Sequence, residues 1–185
     1  MTINDREQLK KLLIENSIFF GKFKLVSGLE SDYYIDARRT TLHPLGSYLI
    51  GKIFLTEIYK DEKVVAVGGP TLGADPIIGS ILSMSANNSR PLNGFIVRKR
   101  EKGYGIKKLI EGNVKAGDRV AIVEDVVTTG GSVLKAIREV EDIEATVSKI
   151  LFVVDREEGA KAKIESMGYS YYSIFNVSEL IGNHC

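Results

Sequence analysis

Val120-Ala-Ile-Val-Glu-Asp-Val-Val-Thr-Thr-Gly-Gly-Ser132 is the stretch on which the fold turns. Four apolar residues, Val120 to Val123, read as a buried strand. Two carboxylates, Glu124 and Asp125, follow at its end. Thr128-Thr129-Gly130-Gly131-Ser132 then leads into a helical pattern marked by Val133, Ile137 and Val140. Ligands of α/β sheets bind at the carboxyl ends of the strands. Small residues at such a place let successive backbone N–H groups converge on an anion, and the helix N-terminus behind them adds to the attraction. The hydroxyls of Thr128, Thr129 and Ser132 add donors. The carboxylates cannot serve the same anion; they suit ribose hydroxyls or a hydrated Mg²⁺. An anion cradle beside a diol or metal site describes a ribose 5-phosphate site. A plain strand–turn–helix with hydroxyl caps would be the better reading of either carboxylate alone, but the ordered set weighs against it. Two other phosphate signatures are missing: the chain has no G-x-x-x-x-G-K-[ST] and no G-x-G-x-x-G after a strand.

Outward from this stretch, strands and helices alternate. Strands are expected at residues 64–67, 94–97, 119–123, 147–154 and 169–174, and helices at 75–84, 159–167 and from the glycine loop to about 141. A polar loop without regular structure is expected over 99–113. Such βα alternation implies a mainly parallel sheet flanked by helices, an α/β fold. Before it, residues 5–15 form a short amphipathic helix with Leu9, Leu12 and Leu13 on one face. Strands at 23–26 and 33–36 make a small antiparallel unit around Ser27-Gly28-Leu29-Glu30. Pro44 opens a helix of about four turns in which Leu45, Leu49, Ile53 and Leu55 are spaced for burial. The whole chain, 1–185, reads as one domain in which residues up to about 40 contribute a hood.

Composition narrows the function classes. The formal net charge is +1, so the molecule as a whole is no polyanion binder and any basic patch is local. The first residues are charged, with no apolar signal-peptide region, and no apolar run is long enough for a bilayer. The one cysteine, Cys185, is the last residue and has no internal partner for a disulfide. A reducing cytoplasm is the expected location, with neither membrane nor nucleic acid as a partner. His43 and His184 have no Cys, His or carboxylate partners at ligand spacing, so no metal caged directly by protein is expected.

Four further segments carry chemistry. Arg98-Lys-Arg-Glu-Lys-Gly-Tyr-Gly-Ile-Lys-Lys108 holds six cations and one acid in eleven residues. On charge alone it is a solvated basic loop, but its place after a core strand fits a mobile lid that neutralises a leaving pyrophosphate. RNA binding is the other reading of such a loop, and one aromatic, Tyr104, offers little stacking. Gly68-Gly-Pro-Thr-Leu-Gly-Ala-Asp-Pro76 can bring backbone close to a ligand, although alone it is a βα turn. Arg156, in Asp155-Arg156-Glu157-Glu158, stands at a strand end where it can bind a planar carboxylate bidentately or pair with a neighbouring Glu. Ser27, Gly28, Tyr33 and Tyr34 can hood a flat ring or simply pack a hairpin.

Residues 18 to 176 together resemble the orotate phosphoribosyltransferases, a type I phosphoribosyltransferase family. The Ser27-Gly28 and Tyr33-Tyr34-Ile35-Asp36 segment is similar to that family's hood, Arg98-Lys99 and Lys102 to its catalytic loop, and Glu124 to Ser132 to its phosphoribosyl pyrophosphate loop. Asp155-Arg156 stands where the family holds orotate, and Thr128 at a position that also touches it. The resemblance implies Mg²⁺-dependent transfer of ribose 5-phosphate from phosphoribosyl pyrophosphate to orotate, with Mg²⁺ held through substrate and water. It implies catalytic roles for Lys102, Glu124 and Asp125. Phosphoribosyl pyrophosphate would be bound by Arg98, Lys99, Lys102, Tyr104, Glu124, Asp125, Val126, Val127, Thr128, Thr129, Gly130, Gly131 and Ser132. Orotate would be bound by Thr128 and Arg156. A homodimer with shared active sites is implied as well. The chain departs from the pattern at Tyr104, where members often have histidine, at Val26, where many have lysine, and at Thr71-Leu72-Gly73, where many carry a lysine. A purine or uracil phosphoribosyltransferase is the alternative within the class, and a nucleic-acid-binding regulator on the same fold the alternative outside it.

Overall fold

A computed structural model of the protein describes residues 3–24, 30–99 and 109–182. Its centre is a six-stranded sheet in the order β5-β4-β3-β6-β7-β8. The strands are β3 (Ala66–Pro70), β4 (Asn93–Val97), β5 (Ile110–Gly112), β6 (Arg119–Val127), β7 (Thr146–Asp155) and β8 (Ser170–Asn176). All the pairings are parallel except that of the short edge strand β5 with β4. Because β3, β6 and β7 are covered on both sides, they are apolar along most of their length rather than alternating. Val67, Ala121, Val123, Leu151 and Val153 are buried in one apolar cluster, and Ala66, Val120, Ile122, Ile150 and Phe152 in a second.

Helices α1 (Ile3–Ser17), α3 (Pro44–Ile58) and α4 (Asp75–Ser85) pack on the first face, while α5 (Gly131–Asp142) and α6 (Ala160–Ser166) pack on the second. Leu9 and Leu13 of α1 are fully buried and Leu12 packs beside them, the face expected from their spacing. Pro44 occupies the first turn of α3, where its missing N–H is no loss, and His43 Nδ1 accepts the Gly46 N–H at 3.5 Å. Leu49, Ile53 and Leu55 are buried as expected. Leu45 is not: it is 42% exposed, in the first turn of α3 and short of the sheet, three residues from exposed Leu42 and Tyr48.

The sheet reverses its winding between β3 and β6. From β3 the chain moves outward to β4, then returns to the other side of β3 to form β6 and continues to β7 and β8. The crevice outside the carboxyl ends of β3 and β6 is therefore the switch point at which ligands of such sheets bind. The close fit of β3 there demands glycine. A Cβ on Gly68 would stand 2.4 Å from the Phe95 ring, and one on Gly69 2.1 Å from the Val123 carbonyl oxygen.

The α/β architecture expected from the sequence is the one observed, with corrections to individual elements. The first hairpin strand, expected at 23–26, is β1 (Ile18–Lys24), which pairs antiparallel with β2 (Glu30–Ile35). Hydrophobic Ile18 and Ile35 anchor its base in the core, so pairing begins earlier than the turn residues indicate. β3 runs to Pro70, three residues into the glycine loop and beyond the expected 64–67. β6 runs past the expected 119–123 to Val127, because Glu124, Val126 and Val127 keep pairing with β7. The expected unstructured loop at 99–113 contains β5. Two short helices were not expected: α2 (Arg38–Thr41), and α7 (Val177–Ile181), which opens with a capping box between Asn176 and Glu179.

Candidate active site

The acidic pair belongs to the last turns of pleat in β6, not to the loop after it. Successive side chains of a strand point to opposite faces. Glu124 follows Ile122 onto the α5 face, and Asp125 follows Val123 onto the face of α4 and the hairpin. Glu124 is 8% exposed. Its Oε1 accepts the Ser132 hydroxyl at 2.6 Å, and its Oε2 is buried with no partner. Burial pushes its carboxyl up to about 7; the Ser132 hydrogen bond and the Lys99 charge oppose the shift, and Asp125 adds to it. Asp125 is also raised, chiefly by burial, against hydrogen bonds from the Val126 N–H (2.8 Å) and from its own backbone and against the charge of Arg38. Two carboxyls whose burial raises them above the ordinary range, at one strand end, form a site prepared for a positive or hydrogen-bond-donating ligand.

Thr128, Thr129 and Gly130 follow β6 directly, and Gly130, with φ 81°, turns the chain into α5. A residue with a side chain adopts this conformation at a cost, which accounts for the glycine. No side chain caps α5, so the first N–H groups of this twelve-residue helix are open to an anion. Val127 is buried and Val126 packs at the edge of the first cluster, so only their backbone can take part in binding. Ser132, expected as a phosphate donor, has its hydroxyl committed to Glu124.

The loop after β3 closes the other side of the crevice. A Cβ on Gly73 would lie 2.2 Å from Asp125 Oδ1. Two glycine substitutions should therefore separate activity from folding. Gly73→Ala displaces the Asp125 carboxylate and is expected to lower turnover with a nearly unchanged melting temperature. Gly69→Ala drives a methyl into backbone and is expected to destabilise by about 1–3 kcal/mol, the usual range for overpacking. Denaturant melts and initial rates on both variants check this, and identical profiles for the two would contradict the assignment of Gly73 to the site.

Arg98 and Lys99 leave β4 toward the same crevice. The Arg98 N–H donates to the Leu109 carbonyl at 2.8 Å, and its guanidinium pairs with Glu111 at 2.8 Å. The basic segment thus departs from and returns to one point on the sheet edge. The Lys99 carbonyl accepts Lys135 Nζ at 3.0 Å. Lys102 and Tyr104 of this segment, and Ser27 and Gly28 of the hood, lie outside the described residues.

Arg156 extends from the end of β7, and its N–H donates to the Val127 carbonyl at 2.9 Å. Only 12% of its side chain is exposed. Its guanidinium carbon lies 5.2 Å from the centre of the Tyr33 ring. Nε is 3.0 Å from Glu158 Oε1 without hydrogen-bond alignment, which leaves a buried donor unsatisfied. The pairing with a neighbouring Glu that the sequence allowed is present at Glu158, and Nε stays without a hydrogen bond. The two hood tyrosines have different surroundings. Tyr34 packs with Phe19 and Phe23, while Tyr33 lies on Arg156. Asp155, 4% exposed, shapes this turn: Oδ1 accepts the Glu157 N–H (2.7 Å) and Oδ2 the Tyr171 hydroxyl (2.6 Å).

The sequence reading missed Arg38, whose charge acts on Asp125, and the Tyr33–Arg156 stack. Arg38 carried a signal, standing two residues beyond the hood motif, but no periodicity brings residue 38 to residue 125.

Comparison with known proteins agrees with this geometry. The model of the phosphoribosyl transferase domain matches residues 47–177. The chain is similar to the orotate phosphoribosyltransferase of Aquifex aeolicus (strain VF5), at 45% identity over 184 residues, 98% of this chain and 100% of the relative. It is also similar to the crystal structure of the Mycobacterium tuberculosis H37Rv orotate phosphoribosyltransferase in complex with Fe(III) dicitrate, with a TM-score of 0.83 and 42% identity over 95% of this chain and 98% of that one. The structure of the same enzyme in complex with 5-phospho-alpha-D-ribosyl 1-diphosphate gives a TM-score of 0.79 at 40% identity, again over 95% and 98%.

Proposed function

The chain belongs to the orotate phosphoribosyltransferases of the phosphoribosyltransferase family, and on that premise we propose how its residues carry the reaction. The reaction moves ribose 5-phosphate from phosphoribosyl pyrophosphate to orotate, giving orotidine 5′-phosphate and pyrophosphate in pyrimidine biosynthesis. The observation that carries the assignment of roles is the buried, partnerless Oε2 of Glu124, beside Asp125 and in front of the open N-terminus of α5.

Thr128, Thr129, Gly130, Gly131 and the first N–H groups of α5 hold the 5′-phosphate, with the backbone of Val126 and Val127 and the Ser132 hydroxyl supporting the loop. This remote binding energy positions the anomeric carbon. Glu124 and Asp125 bind the ribose hydroxyls and favour the cationic sugar that forms as the bond to pyrophosphate breaks. Arg98, Lys99, Lys102 and Tyr104 bind the departing pyrophosphate, and the three cations neutralise its growing charge. The Arg98–Glu111 pair is partly exposed, so exchanging it for a phosphate oxygen sacrifices little. Arg156 takes the orotate carboxylate, and Thr128 touches the ring. No covalent nucleophile is needed.

Mg²⁺ fits the donor set: two carboxylates, one with a free buried oxygen, suit a hydrated ion held through water and substrate. Among the described residues no three His, Cys, Asp or Glu side chains cluster to cage a metal. When bound, the ion supplies charge neutralisation at the pyrophosphate. The chain acts as one phosphoribosyltransferase domain with residues 1–40 as its hood, in the cytoplasm, on small molecules. Among the described residues no helix is long and apolar enough to cross a membrane. Incubation with orotate, phosphoribosyl pyrophosphate and Mg²⁺ should consume orotate absorbance and release pyrophosphate in equal amounts. Folded protein that does neither would refute the assignment.

The active unit is a homodimer with shared sites. Support comes from the family resemblance and from Leu42, Leu45 and Tyr48, apolar side chains 69, 42 and 50% exposed, an arrangement typical of association surfaces. If Lys102 serves the partner's Glu124–Ser132 site, mixing the inactive variants Lys102→Ala and Asp125→Asn gives hybrids with one intact site. Random exchange makes half of the dimers hybrid, so about a quarter of wild-type activity should return. A mixture no more active than its parents, with exchange demonstrated, would rule the shared site out.

A further inference from the structure

We propose that Glu158 is a displaceable counter-charge for Arg156, a carboxylate of the chain's own that pairs with the guanidinium between turnovers and gives way to the carboxylate of the acceptor. The inference rests on the assignment of Arg156 to orotate made above and adds a residue to it. Arg156 is almost enclosed, and a charge so placed is costly without a partner. Glu158 Oε1 supplies one at 3.0 Å from Nε, yet Nε makes no hydrogen bond. The pair therefore has the Coulombic attraction and lacks the aligned N–H···O bond of a carboxylate that meets the guanidinium in its plane. A planar ligand carboxylate that does align is the better partner.

In such an exchange one partner stays and the other leaves, and the turn decides which. Arg156 is held in place. Its N–H donates to the Val127 carbonyl at 2.9 Å, and its guanidinium carbon lies 5.2 Å from the Tyr33 ring centre. Asp155, before it, is buried and accepts the Glu157 N–H at 2.7 Å and the Tyr171 hydroxyl at 2.6 Å. Glu157, after it, takes a left-handed φ of 60°, and its Oε2 accepts the Ser178 N–H of α7 at 3.0 Å. A residue with a side chain keeps that conformation only where its surroundings impose it.

Glu158 is tied by nothing comparable. Its side chain is 39% exposed, and among the described residues Arg156 is its one partner. It precedes Gly159, whose φ of 92° turns the chain into α6 and where an added Cβ would meet nothing within 4 Å. The carboxylate thus has open space to swing into, and leaving a pair in which it is this exposed costs it little. Glu157 differs, because its carboxylate is anchored on α7. Orotate and orotidine 5′-phosphate both carry the carboxylate that competes with Glu158, so the residue weakens the binding of each and eases departure of the product.

The test compares wild type, Glu158→Gln and Glu157→Gln in titration calorimetry with orotidine 5′-phosphate and, separately, with phosphoribosyl pyrophosphate and Mg²⁺, together with steady-state kinetics and thermal melts. Glu158→Gln keeps the shape of the side chain and removes the competing charge. It should bind orotidine 5′-phosphate roughly two- to fivefold tighter, the scale of a partly exposed ion pair. KM for orotate should fall in step, while phosphoribosyl pyrophosphate binding and the melting temperature stay near wild type. Glu157→Gln should bring no such gain. Binding of orotidine 5′-phosphate by Glu158→Gln that is weaker than wild type, or tighter by less than about twofold, would overturn the proposal. So would an equal gain for phosphoribosyl pyrophosphate or in Glu157→Gln, because that marks a general loss of negative charge rather than release of Arg156. Arg156→Ala separates the inference from its premise. If that variant keeps wild-type orotate kinetics, the premise falls and the inference with it. If it loses them while Glu158→Gln binds like wild type, this inference alone falls.

Discussion

Glu124→Gln should lose most of its turnover and, at alkaline pH, gain stability relative to the wild type. The two effects have one origin. Burial holds the Glu124 carboxyl at about 7, well above the ordinary carboxylate value of 4.5, so ionised Glu124 is a charge the folded protein resists. With the folded value above the unfolded one, the folded state retains a proton that the unfolded state releases, and stability falls as pH rises from 4.5 through about 7. The glutamine variant has no such proton to lose. Its stability relative to wild type should climb across that window and level off above it, while turnover falls roughly a hundred- to a thousandfold, the scale of losing one group that stabilises developing charge. Asp125→Asn should lower turnover similarly with little change in melting temperature. Melts at several pH values with initial rates decide the matter; a pH-independent difference in melting temperature, or a variant that keeps its rate, would mean that Glu124 is only a packed side chain.

Arg156→Ala should abolish orotate selection while leaving the phosphoribosyl side intact. The guanidinium is almost enclosed, lies on the Tyr33 ring and carries a buried Nε without a hydrogen bond. Removing one partner of a desolvated charge pair costs roughly 2–5 kcal/mol, so kcat/KM for orotate should fall by about thirtyfold to several thousandfold. KM for phosphoribosyl pyrophosphate should hardly move, because the described residues proposed to bind it lie in the segments that follow β4 and β6, in β6 itself and at the start of α5. Orotate kinetics equal to wild type would show that the acceptor is held elsewhere. An equal fall for both substrates would indicate collapse of the β7 turn, which a melt would reveal.

The sequence made the sheet legible because its strands are buried on both faces: the apolar runs around Val120 to Val123 and Val147 to Val154 mark themselves without reference to partners. Strand ends were less legible. Glu124 and Asp125 look like the start of a loop, yet β7 continues alongside and holds them in the ladder. Short elements were hidden for a related reason. The three residues of β5 owe their conformation to pairing with β4, and the single turn of α2 to packing between α1 and α3. Within the candidate site, residues in one contiguous motif, from Glu124 to Ser132, could be found by reading along the chain. Tyr33 on Arg156 and Gly73 against Asp125 are long-range encounters created by folding, and no local pattern encodes them.

β6 and β7 remain paired to their last residues, with Val127 opposite Asp155, and the Arg156 N–H still bonds to the Val127 carbonyl. Adjacent strands lie about 4.8 Å apart. The sheet therefore works as a fixed gauge between two workbenches: the proposed phosphate grip departs from one strand at Thr128, and the proposed acceptor grip from the next at Arg156. Their separation is set by backbone hydrogen bonds, not by side-chain identity. An evolving lineage could exchange the tool on β7 for one suited to a different ring and leave the sugar-holding grip, and the reach between them, undisturbed.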